Sequence, residues 1–108
     1  MERRRAIRVP INIILDVYKN GKLEHSYRGC GINLSLKGIA IETDGEFEKN
    51  EDVLLKINIP IDVKGKIVWS KQEGKIYRYG IKFEKLGFFE KFQVKKYIKA
   101  RLLGKASL

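Results

Sequence analysis

Apolar side chains recur at every second position over most of this chain, in short runs separated by turn residues. In the first run, Ile11, Ile13, Leu15 and Val17 alternate with mostly polar neighbours. A period of two is typical of a β-strand with one buried face. Similar runs predict strands at residues 23–28, 39–43, 53–59, 63–70 and 77–83, with a hairpin turn at Asn20-Gly21 and another turn near residues 72–75. Six short strands joined by turns indicate an antiparallel barrel or sandwich.

The period changes after residue 86, where apolar residues begin to recur at spacings of three and four. This pattern predicts an amphipathic helix over residues 87–103, with lysines on its outer face. The apolar stripe includes Phe88, Phe92, Tyr97 and Ile98. We expect this stripe to pack in the core, with the helix covering one end of the barrel, rather than to form a ligand platform.

The chain of 108 residues has a formal charge of +10, from 23 lysines and arginines against 13 aspartates and glutamates. Its length is that of one domain. The positive charge attracts anions, so nucleic acid, a phosphorylated small molecule, an acidic protein and an anionic membrane are all candidate partners. The alternative is a lysine-rich surface that serves solubility or adaptation to heat.

The sequence contains one cysteine, Cys30, and one histidine, His25. These are too few for a disulfide within the chain, or for a zinc or iron–sulfur site of the usual kind, so we expect no cofactor. The sequence has neither a signal peptide nor a run of about 20 apolar residues. We therefore expect a cytoplasmic protein with no membrane insertion.

Two polar clusters are candidates for a binding site. Arg3, Arg4, Arg5 and Arg8 immediately precede the first predicted strand, and a guanidinium can pair bidentately with a phosphate or with the edge of guanine. A good arginine–guanine pair provides roughly 1–3 kcal/mol of discrimination. A solvated basic tail that touches any polyanion is the alternative interpretation of these arginines.

The second cluster comprises Asn33, Ser35 and Gly38. In an extended segment, residues 33 and 35 point to the same side, where an amide and a hydroxyl could bind a base edge or a phosphate oxygen. Gly38 would allow a close approach of the backbone. An ordinary turn is the alternative, because Asn, Ser and Gly are all common turn residues.

Together the two clusters resemble the signature of the PilZ domain family. The segment from Arg4 to Arg8 fits an Arg-x-x-x-Arg motif before the first strand, and the segment from Asn33 to Gly38 fits Asp/Asn-x-Ser-x-x-Gly after the second. Residues 68–69 and 79–83 also resemble the later strands of the family. The resemblance covers nearly the whole chain and implies a six-stranded antiparallel β-barrel with a C-terminal α-helix.

The resemblance further implies a receptor for cyclic di-GMP that is not an enzyme. Arg4, Arg8, Asn33, Ser35 and Gly38 would form the binding site. Supporting contacts would come from Arg3, Arg5 and Arg28. In this interpretation residues 1–9 are a mobile arginine segment that closes over the ligand, residues 10–83 form the barrel, and residues 87–103 form the helix of one domain. Since the chain has no output domain of its own, the signal would pass to a downstream protein partner.

Two other functions remain open at this point. A small basic barrel could bind single-stranded nucleic acid nonspecifically, through lysines and exposed tyrosines. A PilZ-like module could instead bind a protein partner without any nucleotide. An enzyme is the least favoured interpretation, because no nucleophile–base pair or paired carboxylates converge on a plausible site. The acidic run of Glu46, Glu48, Glu51 and Asp52 is better explained by a solvated loop.

Overall fold

A computed structural model of the chain describes residues 7–19 and 22–103. Within these residues the chain forms six strands and one helix. They are β1 (Val9–Lys19), β2 (Ser26–Leu34), β3 (Gly38–Thr43), β4 (Asp52–Ile57), β5 (Ile61–Glu73), β6 (Ile76–Phe83) and α1 (Phe88–Leu103). The strands pair antiparallel in the order β1-β2-β3-β6-β5-β4, and β4 pairs with β1 to close the barrel. The predicted fold class is therefore confirmed, while the predicted turn at Asn20-Gly21 lies outside the described residues.

The barrel interior is filled by the side chains that the period-two pattern selects. In β1, Val9, Ile11, Ile13, Leu15 and Val17 are all buried, while the residues between them are exposed or half-buried. Strands β4 and β5 alternate in the same way, whereas β3 is buried at four consecutive residues, and the buried apolar side chains together form one continuous core. Burial of apolar surface is the main term that stabilises such a fold.

Strand β2 is longer than the sequence pattern predicted. The run at residues 23–28 was expected to end at a glycine-broken stretch, but β2 begins only at Ser26 and continues through Gly29 and Gly31 to Leu34. A Cβ atom on Gly31 would lie 2.8 Å from Cδ1 of Ile11 and 3.2 Å from Cδ1 of Ile39. The interior beside Gly31 is thus filled by side chains of β1 and β3. Glycine here marks close packing inside a strand rather than a chain break.

A buried tyrosine ties the loop after β3 to the barrel. The Tyr79 hydroxyl accepts a hydrogen bond from the backbone N–H of Phe47 at 2.8 Å and donates one to the carbonyl of Gly45 at 3.0 Å. The rings of Phe47 and Tyr79 also meet edge to face, with centroids 5.5 Å apart. Burial raises the pKa of Tyr79, so the phenol keeps the proton that it donates.

Replacing Tyr79 with phenylalanine is expected to lower the free energy of unfolding by about 1–3 kcal/mol, because two buried backbone groups would lose their partner. Chemical denaturation followed by circular dichroism measures this change. Tyr77→Phe is the matched control, since Tyr77 is half-buried and its hydroxyl bonds only to the exposed Glu46 carboxylate, at 2.6 Å. Equal destabilisation by the two substitutions would contradict the role assigned to Tyr79.

The helix lies where it was predicted, but its apolar stripe does not pack as expected. Helix α1 packs chiefly on β1 and β5 and buries only Val94 and Ile98. Phe88 is 94% exposed and Phe92 is 61% exposed. Successive helical residues are rotated by about 100°, so Phe92 and Val94 point to nearly opposite sides, and a single contact line cannot bury both. The prediction that the aromatic residues belong to the core is wrong for Phe88 and Phe92. No helix within the described residues is long and apolar enough to cross a membrane.

Candidate functional site

A groove of about 470 Å³ opens on the barrel surface where β2, β3, β6 and β5 lie side by side. Its volume falls in the range of about 300–1,000 Å³ that is usual for small-molecule sites. Arg8, which immediately precedes β1, borders the same groove. The lining residues are Arg8, Asn33, Lys37, Gly38, Ile39, Ala40, Val68, Trp69, Gly80, Ile81 and Lys82.

Arg8 and Asn33, one residue from each predicted motif, meet at the border of the groove. The Nη1 atom of Arg8 donates a hydrogen bond to Oδ1 of Asn33. Antiparallel pairing of β1 with β2 produces this contact, because Pro10 lies opposite Asn33 and Val9 lies opposite Leu34. A guanidinium has five N–H donors, so the bond to Asn33 leaves most of them available to an anion.

Ser35 does not lie beside Asn33, contrary to the expectation that both point to the same side. Ser35 is 1% exposed, and its hydroxyl oxygen accepts hydrogen bonds from the backbone N–H groups of Lys37, at 3.0 Å, and Gly38, at 3.2 Å. These bonds hold the tight turn between β2 and β3, the usual behaviour of a serine at the start of a turn. Asn33 faces the groove while Ser35 faces inward, since the strand ends at Leu34.

Gly38 has a structural reason to lack a side chain. It begins β3 and pairs with Lys82 of β6, and a Cβ atom on it would lie 2.2 Å from the carbonyl oxygen of Ile81. That distance is far inside van der Waals contact. The residue therefore sets the close approach of β3 to β6, and its backbone also borders the groove.

Trp69 also lines the groove, although neither of the two sequence motifs contains it. Its indole ring lies against the backbone of Gly80, where a Cβ atom would come within 2.1 Å of Nε1. An irregularity in the pairing of β5 with β6, between Ile67 and Trp69, changes the register at this point. Bulges of this kind commonly redirect side chains next to binding sites. Trp69 is 45% exposed and offers an aromatic surface at the groove.

The charges around the groove are uniformly positive. Arg8, Lys37 and Lys82 line it, and none of its described lining residues is a carboxylate. A larger cleft of about 600 Å³ near the start of α1 is lined by Asp16, Asp62 and Glu90 together with two cationic residues. Three carboxylates repel a phosphate, so the groove at Arg8 is the better anion site although it is smaller.

The remaining predicted site residues are not brought to this groove. Arg28 pairs with Asp16, with Nε and Oδ1 3.0 Å apart, and lines the other cleft. Arg3, Arg4 and Arg5 lie outside the described residues. Within the part of the chain that the structure describes, no cluster of histidine, cysteine or acidic side chains could hold a metal ion.

Comparison with solved structures identifies the same fold in proteins of Bacillus subtilis, Escherichia coli and K. pneumoniae. The Bacillus subtilis inhibitor of motility, MotI/DgrA, has a TM-score of 0.80 at 18% identity, over 98% of this chain and 54% of that one. The PilZ domain of Escherichia coli YcgR, solved with cyclic di-GMP, has a TM-score of 0.74 at 14% identity, over 97% and 99%. The transcription factor MrkH from K. pneumoniae has a TM-score of 0.64 at 14% identity, over 96% and 53%.

The chain spans about half the length of MotI and of MrkH, so those proteins contain further structure beside the shared barrel. No curated protein sequence matches this one. The family model described as the PilZ domain matches residues 2–99, which is nearly the whole chain and includes both arginine and asparagine motifs. This chain belongs to the PilZ domain family.

Proposed function

We propose that this chain is a receptor for cyclic di-GMP, and that the dinucleotide binds in the groove bordered by Arg8, Asn33 and Trp69. The observation that carries the proposal is the meeting of Arg8 and Asn33, from separate motifs, at a groove free of carboxylates among its described lining residues. The PilZ domain of YcgR was solved with cyclic di-GMP, and MrkH is described as dependent on it, which supports the same ligand here.

The chemistry of the groove suits both parts of this ligand. Arg8 can exchange its bond to Asn33 for bidentate bonds to a phosphate or to the O6 and N7 atoms of guanine. The freed amide of Asn33 can then donate to and accept from a base edge. Lys37 and Lys82 add positive charge near the phosphates, and the exposed face of Trp69 can stack on a purine.

The predicted roles of Ser35 and Gly38 take a more specific form in this proposal. Ser35 shapes the turn that presents Lys37 and Gly38, so its contribution to binding is through the backbone of that turn. Gly38 keeps β3 against β6, which places Lys82 and Trp69 at the same groove. Arg4, in register with Arg8, is proposed as the second arginine of the site, and Arg3 and Arg5 as supporting residues.

Signalling would follow from ordering of the arginine segment. Two phosphates relieve the mutual repulsion of clustered arginines, and ordering the backbone costs roughly 1–2 kcal/mol per residue, so the ligand contacts must exceed that cost. The start of β1 lies beside α1, since Arg101 Nε donates a hydrogen bond to the carbonyl of Pro10 at 3.2 Å. An ordered segment would therefore form a new surface, adjoining the helix, for a cytoplasmic protein partner. The proposed activity is binding without catalysis, and it requires no cofactor.

Trp69 provides a direct test, because it is the one tryptophan of the chain and lines the groove. We expect cyclic di-GMP to change the tryptophan fluorescence in a saturable way, while GMP at the same concentration changes it little. A short single-stranded oligonucleotide that gives the larger, salt-sensitive response would instead favour a nucleic-acid-binding barrel. If the folded protein responds to neither cyclic di-GMP nor the oligonucleotide, the result would favour a module that binds only a protein partner.

A further inference from the structure

Helix α1 exposes more apolar side chains than it buries. Phe88, Phe89 and Phe92 are 94%, 58% and 61% exposed, and Leu102 and Leu103 are 56% and 62% exposed. Only two residues of the helix are buried. Single exposed apolar residues are common, but several exposed apolar side chains on one helix indicate a surface that another molecule or a membrane covers. The proposed nucleotide site does not use this group, since none of these residues lines its groove.

The same side of the helix is strongly basic. At about 100° per residue, Phe92, Lys96, Lys99 and Leu103 fall on the side opposite the two buried residues. We call Phe88, Phe89, Phe92 and Leu103, with Lys95, Lys96 and Lys99, the outer helix face. All three lysines are exposed, and in residues 7–19 and 22–103 none of them forms an ion pair.

The positive charge of the outer helix face restricts which kind of partner can cover it. A second copy of the chain would bring three more lysines against the first three, and each copy carries a net charge of +10. Like charges at short range are repulsive, so self-association through this face is disfavoured. The occupant must combine an apolar interior with negative charge at its surface.

The shape of the outer helix face distinguishes a protein partner from a lipid bilayer. The outer helix face is the convex side of a helix that packs on β1 and β5, and it runs for about 22 Å from Phe88 to Leu103, at 1.5 Å per residue. A protein partner would have to supply an acidic and apolar groove of that length. A fluid bilayer adapts to a convex ridge, its acyl region accepts phenylalanine and leucine, and anionic headgroups accept lysine.

We propose that the outer helix face docks onto the surface of an anionic lipid bilayer, with Phe88, Phe89 and Phe92 entering the headgroup region and the lysines facing lipid phosphates. The helix lies along the surface in this arrangement. This docking is separate from the proposed receptor function, because it uses a different surface and needs no nucleotide.

Sedimentation with vesicles tests the proposal. We expect the full chain to sediment with vesicles of phosphatidylcholine and phosphatidylglycerol, and to remain in solution with phosphatidylcholine alone. The double variant Phe88→Ser, Phe92→Ser is expected to lower the partition coefficient on anionic vesicles by at least about tenfold. Leu23→Ser, which removes another exposed side chain far from α1 in sequence, is the control and should change it by less than about twofold.

A charge-matched pair of variants separates the helix from the charge of the whole molecule. Lys95→Glu with Lys99→Glu should abolish sedimentation with anionic vesicles. The control, Lys49→Glu with Lys75→Glu, makes the same change of net charge at exposed loop and turn residues. An equal loss in both pairs would overturn the proposal, because attraction would then be nonspecific.

Two further results would also overturn it. The first is a dimer of the full chain in solution that Phe88→Ser with Phe92→Ser converts to a monomer, since the face would then belong to a second copy. The second is a monomer that binds neither kind of vesicle, which would assign the face to an acidic protein. Retained cyclic di-GMP binding in the phenylalanine variant separates either result from a failure of the receptor function.

Discussion

Replacement of Arg8 with alanine is expected to weaken cyclic di-GMP binding at least about tenfold, which corresponds to about 1.4 kcal/mol. Arg8 reaches the groove and shares a hydrogen bond with Asn33, so its loss removes charged, bidentate contacts and leaves the amide without its partner. A calorimetric or fluorescence titration of the variant gives the ratio of dissociation constants.

Arg28→Ala is the matched control for this experiment. It removes the same charge from the same barrel, but Arg28 pairs with Asp16 and lines a different cleft. We expect its effect on affinity to be less than about threefold, from the loss of long-range attraction alone. Unchanged affinity in Arg8→Ala, or an equal loss in both variants, would remove Arg8 from the site.

The second large effect is expected at Gly38. Gly38→Ala should lower the free energy of unfolding by about 3 kcal/mol or more, because its Cβ atom would overlap the carbonyl oxygen of Ile81 and force β3 away from β6. Chemical denaturation measures the loss. If the variant still folds, weaker ligand binding should accompany it, since Lys82 and Trp69 line the groove at this pair of strands.

Gly87→Ala is the control glycine. Gly87 is exposed, and its added Cβ would approach only the Glu90 side chain, which can move aside. We expect a change below about 1 kcal/mol there. A Gly38→Ala variant as stable as Gly87→Ala would show that β3 and β6 are not held as closely as the structure describes.

The barrel could be predicted from the sequence because the alternation of buried and exposed residues in a strand lies within a short segment of the chain. Alternation marks which side chains face inward, and the two polar motifs could be selected from their spacing and from the resemblance, but not the contact between Arg8 and Asn33. The continuation of β2 through Gly29 and Gly31 could not be predicted in this way. Glycine has no preference of its own for strands. Gly31 lies in β2 without a side chain because Ile11 and Ile39, on the neighbouring strands, fill the volume beside it.

Two other features depended on tertiary placement. A stripe of phenylalanines at helical spacing resembles a core-facing surface, and only the position of α1 on β1 and β5 shows that Val94 and Ile98 make the contact instead. Trp69 and Lys82 join Arg8 at the groove because β3, β6 and β5 are adjacent in the barrel. No local spacing in the sequence encodes that adjacency.

The motif that contains Ser35 could be recognised from the sequence, but the direction of the Ser35 hydroxyl could not. The extended interpretation placed its hydroxyl beside the Asn33 amide, but the strand ends at Leu34 and the hydroxyl turns inward to the backbone of the next turn. Serine and glycine at such spacing build a turn, and the turn then presents Lys37 to the groove. The motif is therefore both a structural element and part of the proposed site.

A calorimetric titration of the purified chain with cyclic di-GMP, at physiological salt, tests the central claim most directly. We expect saturable binding in the micromolar range or tighter, with no binding of GMP and a shallow dependence on salt. Single-stranded nucleic acid would instead show a slope of log affinity against log salt of about −0.7 for each phosphate neutralised. Absence of binding in a protein whose circular dichroism shows an intact fold would contradict the receptor function.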